Sequence, residues 1–499
     1  MKDRGPQRRV VVVGAGLGGL SAALSLAADG YDVEIFEKND RPGGKLNLLQ
    51  TKGFSFDLGP SILTLPHYFE RLFVRHGRRM ADYVTIQAVT PHWRNFFEDG
   101  TRIDLFPDPK ETVARNVGLS SDDESDLTSF LAYSKRLYER AVPGYFDRGL
   151  DTLWPLIRFY GVFSTLRDFD LFSSMDDGVG RHVRNRYLRD ILNYFVKYVG
   201  SSPYDAPAVL NLLPHAQFGY GLWYVKGGMY GLARALERLA NEVGVQMHFG
   251  AEVVALSHAN GRVTSAELAN GRLVEGDLFV CNMEVIPAYE RLLRESPAFL
   301  SKLRKFEPAC SGLVLHLGTD REYPQLAHHN FFFSRDPKKH FTDVFHRGIL
   351  PEDPTLYVVA PARTDRSQAP AGCENIKVLP HIPHLQDLRF TEQEYASLRE
   401  RVLDKLERMG LEGLRRHIVV EDTWTPEDIE RRYYSNRGAI YGVVADRKKN
   451  LGLKAPKKSS KYANLYFVGG SVNPGGGMPM AVLSGQQVRD LIMADSEQL

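Results

Sequence analysis

A glycine triplet near the start of the chain restricts the fold more than any other feature. Gly14-x-Gly16-x-x-Gly19 directly follows the β-branched run Arg9–Val13 and opens a stretch of helix-forming composition, residues 17–30, before a second strand, Asp32–Phe36. Strand, glycine turn, helix and strand in that order are the context in which such a triplet binds a dinucleotide. Gly14 permits the tight turn, Gly16 lets the backbone approach a pyrophosphate, and Gly19 lets helix and strand lie close, with the helix N-terminus facing the phosphate charge. Val13, Ala15, Leu17 and Gly18 belong to the same turn and are expected at the cofactor. Glu37, at the end of the second strand, offers a carboxylate to the ribose hydroxyls and would repel a 2′-phosphate, so NADP is disfavoured. Lys38 follows it and joins the expected contacts. The uncharged run after Arg8 and Arg9 imitates a signal peptide or a membrane span, but its glycines interrupt what would have to be a continuous apolar helix.

Composition excludes several classes. With 499 residues, 43% hydrophobic and 25% charged, the chain reads as an ordinary globular enzyme. A net charge of +2 with interleaved signs gives no field that would attract nucleic acid. Cys281, Cys310 and Cys373 stand far apart, without the paired spacing of a zinc knuckle, an iron–sulfur cluster or a c-type haem, and a reducing cytoplasmic setting is expected. The histidines form no metal box, so no metal is expected.

Along the chain two kinds of block alternate. Residues 95–220 are crowded with aromatics and read as helical. A helix at 232–242 precedes strands at 246–249 and from Val253, and Asn270-Gly271 is a hairpin signal because both residues accept positive φ. Residues 287–420 mix strands with a charged helix. This alternation implies an α/β protein of two interleaved units: residues 1–94, 221–286 and 421–499 form a nucleotide-binding unit, and residues 95–220 and 287–420 form an α+β substrate unit.

Arg41-Pro42-Gly43-Gly44-Lys45 adds two adjacent glycines, past which a cofactor could lie close to backbone, and two cations near a pyrophosphate. Gly59, Pro60 and Ser61 follow in a turn. At the far end a strand runs through Gly469-Gly470 and Asn473-Pro474-Gly475-Gly476-Gly477-Met478-Pro479 into a helix predicted to begin near Met480, which again aims amides at a ligand. These segments resemble the extended FAD fingerprint of the amine oxidase and phytoene desaturase superfamily. The resemblance implies FAD in a Rossmann-like fold of the glutathione reductase and amine oxidase type, with Arg41, Gly43, Gly44, Lys45, Gly59, Pro60, Ser61, Val253, Gly469, Gly470, Pro474, Gly477, Met478 and Pro479 among its contacts.

Over essentially the whole chain the sequence resembles bacterial carotenoid desaturases and oxidases, most closely the branch that oxidises terminal methyl groups of C30 carotenoids such as 4,4′-diaponeurosporene in staphyloxanthin-type pathways. Phe56-Asp57-Leu58-Gly59-Pro60-Ser61, Tyr198-Val199-Gly200-Ser201-Ser202 and Trp424-Thr425-Pro426-Glu427-Asp428 are among the matching stretches. Asn473-Pro474-Gly475 has the oxidase form, where desaturases of the family usually carry His-Pro-Gly. Hydride loss from an allylic C–H bond is chemically coherent, because the cation is spread over the polyene. At a terminal methyl the neighbouring carbon has no hydrogen to lose, so capture by water or another oxygen donor is expected, and repetition gives an aldehyde.

The resemblance implies a hydrophobic carotenoid substrate, an electron acceptor such as oxygen or a quinone, and a cytoplasmic enzyme peripherally attached to the inner face of the cell membrane. The aromatic stretch 131–169, with Trp154, Phe159, Tyr160, Phe163, Phe169, Arg158 and Arg167, is the candidate for that surface; a lid over the substrate tunnel is the other reading. No acid or base is assignable. His328 and His329 are candidates, and as neighbours on a strand they should point to opposite faces. A desaturase, a prenyl-binding protein without redox chemistry and an amine oxidase remain alternative readings.

Overall fold

The computed structural model describes residues 8–162 and 168–497. β1 (Arg9–Val13) is the central strand of a five-stranded sheet. Val10, Val11 and Val12 are fully buried, as expected of a parallel strand covered on both faces. β1 pairs with β2 (Asp32–Phe36) on one side and with β4 (Leu278–Cys281) on the other; β3 (Gln246–His248) lies outside β2 and β5 (Leu465–Phe467) outside β4. Every pair is parallel. Strands from both ends of the chain and from its middle therefore share one sheet.

α1 (Leu17–Ala28) is apolar nearly all round and buried through most of its length. Its covering layer is α2 (Met478–Glu497), which crosses so near that a Cβ on Gly485 would fall 2.5 Å from the Ala22 nitrogen. The Ser21 hydroxyl donates to the Val482 carbonyl at 2.5 Å across the crossing.

The second large sheet is mixed. Its strands run in the order Ile418–Trp424, Val314–Thr319, Glu374–Ile382, Leu356–Val359, His329–Phe332, Trp93–Phe96 and Arg102–Leu105. All its pairs are antiparallel except that between His329–Phe332 and Trp93–Phe96. Alternation along the strands sorts the side chains. Ile376, Val378, Leu356 and Val358 pack under the helix Glu392–Arg408, whereas Lys377, Leu379, Tyr357, Val314 and Trp424 turn to the opposite face. The boundaries read from the sequence at 94/95 and 420/421 fall inside the strands Trp93–Phe96 and Ile418–Trp424, both wholly members of this sheet.

A three-stranded meander, Val253–Ala259, Arg262–Leu268 and Leu273–Glu275, stands beside the parallel sheet. Asn270-Gly271 does lie in the turn of a hairpin, between Arg262–Leu268 and Leu273–Glu275, with only the glycine (φ 83°) left-handed, while Asn260-Gly261 (φ 52° and 71°) makes the tighter turn before it. The segment after Gly228 is helical as expected, over Gly231–Glu242.

The aromatic stretch 131–169 divides in two. Tyr133, Leu137, Tyr138, Phe146 and Phe169 are core. The helix Leu153–Tyr160 buries none of its residues, and Trp154 is 73% exposed, with Val162 and Phe172 (72%) also open to solvent. Phe163 and Arg167 lie outside the described residues. Among the described residues no helix is long and apolar enough to cross a membrane.

Candidate functional site

One cavity of about 430 Å³ runs between the two large sheets. At its first end the wall is backbone. Gly14 takes φ 92°, a conformation that side chains rarely adopt, and makes the turn out of β1. A Cβ on Gly16 would collide with the Asn282 amide, one on Gly18 would fall 2.7 Å from the Gly469 nitrogen, and one on Gly19 would strike the Gly14 carbonyl oxygen. Gly16 also bridges Gly43, and a Cβ on Gly44 would come 3.2 Å from the Gly16 Cα. The three glycine segments thus meet side by side.

Glu37 is buried at this end. Its Oε2 accepts the Ala15 N–H at 2.8 Å, and its Oε1 accepts the backbone N–H (2.9 Å) and side-chain amide (2.7 Å) of Asn39. A carboxylate has about four lone-pair sites, so acceptor capacity is left for a hydroxyl. The first turn of α1 contains no acidic residue and its N-cap is Gly16, so no carboxylate of its own competes for the positive end of the helix.

Most residues expected at a cofactor line this cavity: Val13, Gly14, Gly16, Leu17, Gly18, Glu37, Lys38, Gly43, Gly44, Lys45, Gly59, Pro60, Ser61, Val253, Gly469, Gly470, Pro474, Gly477, Met478 and Pro479. Ala15, Gly19 and Arg41 do not. Ala15 contributes its N–H to Glu37, Gly19 serves helix–strand contact, and Arg41 turns outward to Asp40 at 3.0 Å. The positive charge of Lys45 is also committed, to Glu284 (3.0 Å) and the Ala439 carbonyl (3.0 Å). A bare-backbone cradle, a helix N-terminus without an acidic competitor and a buried carboxylate beside it together fit the pyrophosphate and ribose of FAD.

The second end is apolar and aromatic, with Tyr138, Tyr145, Phe146, Leu213, Tyr357, Leu379, Trp424 and Tyr441 in its wall. Three buried lysines, Lys197, Lys377 and Lys454, also line the cavity. Lys377 donates to the carbonyls of Asp57 (2.9 Å) and Gly59 (2.5 Å) and to the Ser61 hydroxyl, tying the mixed sheet to the turn expected at the flavin. Burial pushes its amine down to about 8 and the Asp57 carboxyl up to about 6. A lysine whose folded value is lowered binds fewer protons than in the unfolded chain, so its burial penalty is present in full below about 8 and relieved above it. Unfolding free energy from urea titrations should therefore rise above that pH by up to about 1.4 kcal/mol per unit, and Lys377→Met should remove this contribution. An unchanged slope in the variant would show that Lys377 titrates normally.

His328 and His329 do not line the cavity. The strand begins at His329, so alternation does not apply to His328, and the two rings approach to 4.4 Å instead of pointing apart. His329 stands behind the wall, its Nδ1 2.9 Å from the hydroxyl of Tyr357, which does line it; His328 Nδ1 is 2.8 Å from the Thr364 hydroxyl. Burial depresses both rings, His328 to about 3, so both are neutral imidazoles. Asn282, Glu284, Lys197, Lys377, Tyr357 and Tyr441 line the cavity without having been singled out from sequence. Only register shows which face of the second sheet Lys377 and Tyr357 take.

Comparison with known proteins agrees with this arrangement. The chain is 61% identical over 490 residues to 4,4′-diapolycopene oxygenase of Methylomonas sp., covering 98% of each. It is 54% identical over 488 residues to 4,4′-diaponeurosporene oxygenase of Staphylococcus aureus (strain USA300), again covering 98% of each. Among solved structures, an oxidoreductase from Methanosarcina mazei superposes with TM-score 0.63 at 16% identity, over 97% of this chain and 100% of the other. Wild-type putrescine oxidase bound to putrescine superposes with TM-score 0.65 at 16% identity, over 98% and 99%; at such identity these two show the shared fold. The family model of flavin containing amine oxidoreductases matches residues 17–493, and the chain belongs to that family.

Proposed function

We propose that this protein is an FAD-dependent oxidase of the terminal methyl group of a C30 carotenoid of the 4,4′-diaponeurosporene or 4,4′-diapolycopene type, acting in staphyloxanthin-type biosynthesis. The aldehyde is the product, with the carboxylic acid as its further oxidation. The observation that carries the reading is one cavity with a backbone-lined, carboxylate-bearing end that suits a dinucleotide and an apolar, aromatic end that suits a polyene. Near-full-length likeness to enzymes named for these carotenoids supports it.

In this reading the Gly14–Gly19 turn and Gly43-Gly44 hold the pyrophosphate, Glu37 takes the ribose hydroxyls, and the segment from Gly469 to Pro479 holds the ring system. Bound there, FAD supplies a two-electron acceptor for hydride from the allylic methyl. The protein's part is to exclude bulk water and to hold the chain end against the cofactor. Tyr357 and Tyr441, backed by His329 and by His381 (3.4 Å from the Tyr441 hydroxyl), offer hydroxyls to the oxygen that is added. The two interleaved units divide this work, the parallel-sheet unit taking the nucleotide and the mixed-sheet unit the polyene. An electron acceptor, oxygen or a quinone, completes the cycle.

A polyene of this length resides in lipid. The exposed helix Leu153–Tyr160 lies in sequence just beyond Tyr145 and Phe146 of the cavity wall, which makes it the membrane-facing entrance in this reading, at the cytoplasmic face. Replacing Leu153 and Trp154 together by Asp should lower binding to lipid vesicles at least about tenfold, since each apolar side chain buried is worth roughly 1.5–3 kcal/mol. Unchanged flotation would place the membrane contact elsewhere. The function itself is tested by mass spectrometry of carotenoids from cells making a C30 polyene, with and without this protein. Oxygen gained at a chain end is the expected result; loss of hydrogen pairs alone would make the enzyme a desaturase.

A further inference from the structure

Lys197, in the turn Tyr194–Tyr198, is buried in the wall of the apolar half of the cavity. Its Nζ lies 4.2 Å from the centroid of the Tyr357 ring, 4.5 Å from Tyr198 and 5.1 Å from both Trp93 and Phe331. Among the described residues no carboxylate pairs with this amine, unlike the buried Lys405 and Lys457, which meet Asp353 and Asp151. The carbonyl contacts that occupy Lys377 have no counterpart at Lys197 among the described residues. Burial, reinforced by the charge of Lys377, holds the Lys197 amine well below the usual lysine range. An amine in the wall of an apolar space, where burial disfavours its protonated form, is a nucleophile for carbonyl carbon once it has given up that proton.

We propose that Lys197 is a reversible covalent capture site for the aldehyde end of a polyene. The amine nitrogen adds to the carbonyl carbon, a C=N bond replaces the C=O bond, and the oxygen leaves as water carrying both amine protons. No electrons are gained or lost, and hydrolysis restores lysine and aldehyde. The imine so formed is neutral, as suits a place where burial and the charge of Lys377 disfavour a cation and no carboxylate pairs with the nitrogen. The site would hold an oxidised end inside the protein until water releases it. Its use in the cell rests on the aldehyde product proposed above.

The test supplies the aldehyde. Purified holoprotein is incubated with all-trans-retinal, an apolar polyene aldehyde, and cyanoborohydride is then added before peptide mass mapping. The expected result is a reduced adduct on the peptide containing Lys197, at least about tenfold above any other lysine, preceded by a shift of the retinal band to the blue, as a neutral imine gives. Lys197→Met and Lys197→Arg should lose both while retaining flavin. Label confined to other lysines, or an undiminished blue-shifted band in Lys197→Met with full flavin content, overturns the proposal. The mapping of the unaltered protein decides it even where a variant fails to fold. Because the aldehyde is added, an adduct at Lys197 without carotenoid oxidation in cells would sink the proposed function alone; oxidation without the adduct would sink the capture site alone.

Discussion

Gly18→Val is expected to yield protein with at least about tenfold less bound flavin and correspondingly little activity. The first carbon of the new side chain would already stand 2.7 Å from both the Gly469 nitrogen and the Asn282 side-chain oxygen, with the Gly469 Cα at 3.1 Å. Two of those three atoms are backbone and cannot rotate away, so the remaining methyls must push the end of β5 from the start of α1. Overpacking of this kind costs roughly 1–3 kcal/mol in a yielding core and more where main chain must move. Because Gly469 and Gly470 also line the cavity, the displacement falls on the cofactor's own wall. Absorbance of the purified protein, scaled to polypeptide, gives the answer. Full flavin content would show that the junction of α1 and β5 is softer than these distances indicate.

Glu37→Ala should weaken FAD binding about 10- to 100-fold, the effect of losing roughly 1.5–3 kcal/mol from a hydrogen bond to a charged group. The same change strands the Ala15 and Asn39 N–H groups that the carboxylate now accepts, so thermal stability without cofactor should fall as well. Glu37→Gln separates the two effects. It keeps one acceptor oxygen for a backbone N–H and removes the charge, so stability should recover more than affinity. Equilibrium titration of the apoprotein with FAD checks the first quantity and urea unfolding the second. Equal affinity in all three proteins would mean that Glu37 serves only the turn.

What sequence reading captures here is what is local. The βαβ unit is legible because its glycines, β-branched strand and helix are contiguous, and three of its constraints act within a dozen residues. The N-capped helix at Glu392–Arg408 is legible for the same reason, with Thr391 and Glu394 forming its capping box. Lys377, Tyr357 and Val314 are a different case. Each faces the cavity only because the strands pair in one register, Leu315 with Val378 and Tyr357 with Leu379, and nothing near these residues in sequence specifies it. Arg41, expected at a pyrophosphate from its place beside a glycine pair, lies outside the cavity wall and pairs with its neighbour Asp40. The hairpin signal was present twice; Asn260-Gly261, with strands immediately on both sides, leaves no slack, and the four-residue gap after Leu268 does.

The crossing of α1 by α2 has a consequence for how the protein is made. During translation the dinucleotide-binding strand and helix emerge first, yet β5 and the helix that covers α1 follow roughly 440 residues later, which at about 5–20 residues per second is a wait of about 20–90 s. For that interval the face of α1 that α2 covers and the β4 edge of the central sheet lack their partners, although α1 already packs on β1, β2 and the helices His67–Arg75 and Gly231–Glu242. Because Gly469, Gly470 and Pro474 complete the cofactor's wall, coenzyme can be held only once this late segment has joined the sheet, so a chain cut short before β5 should retain no flavin.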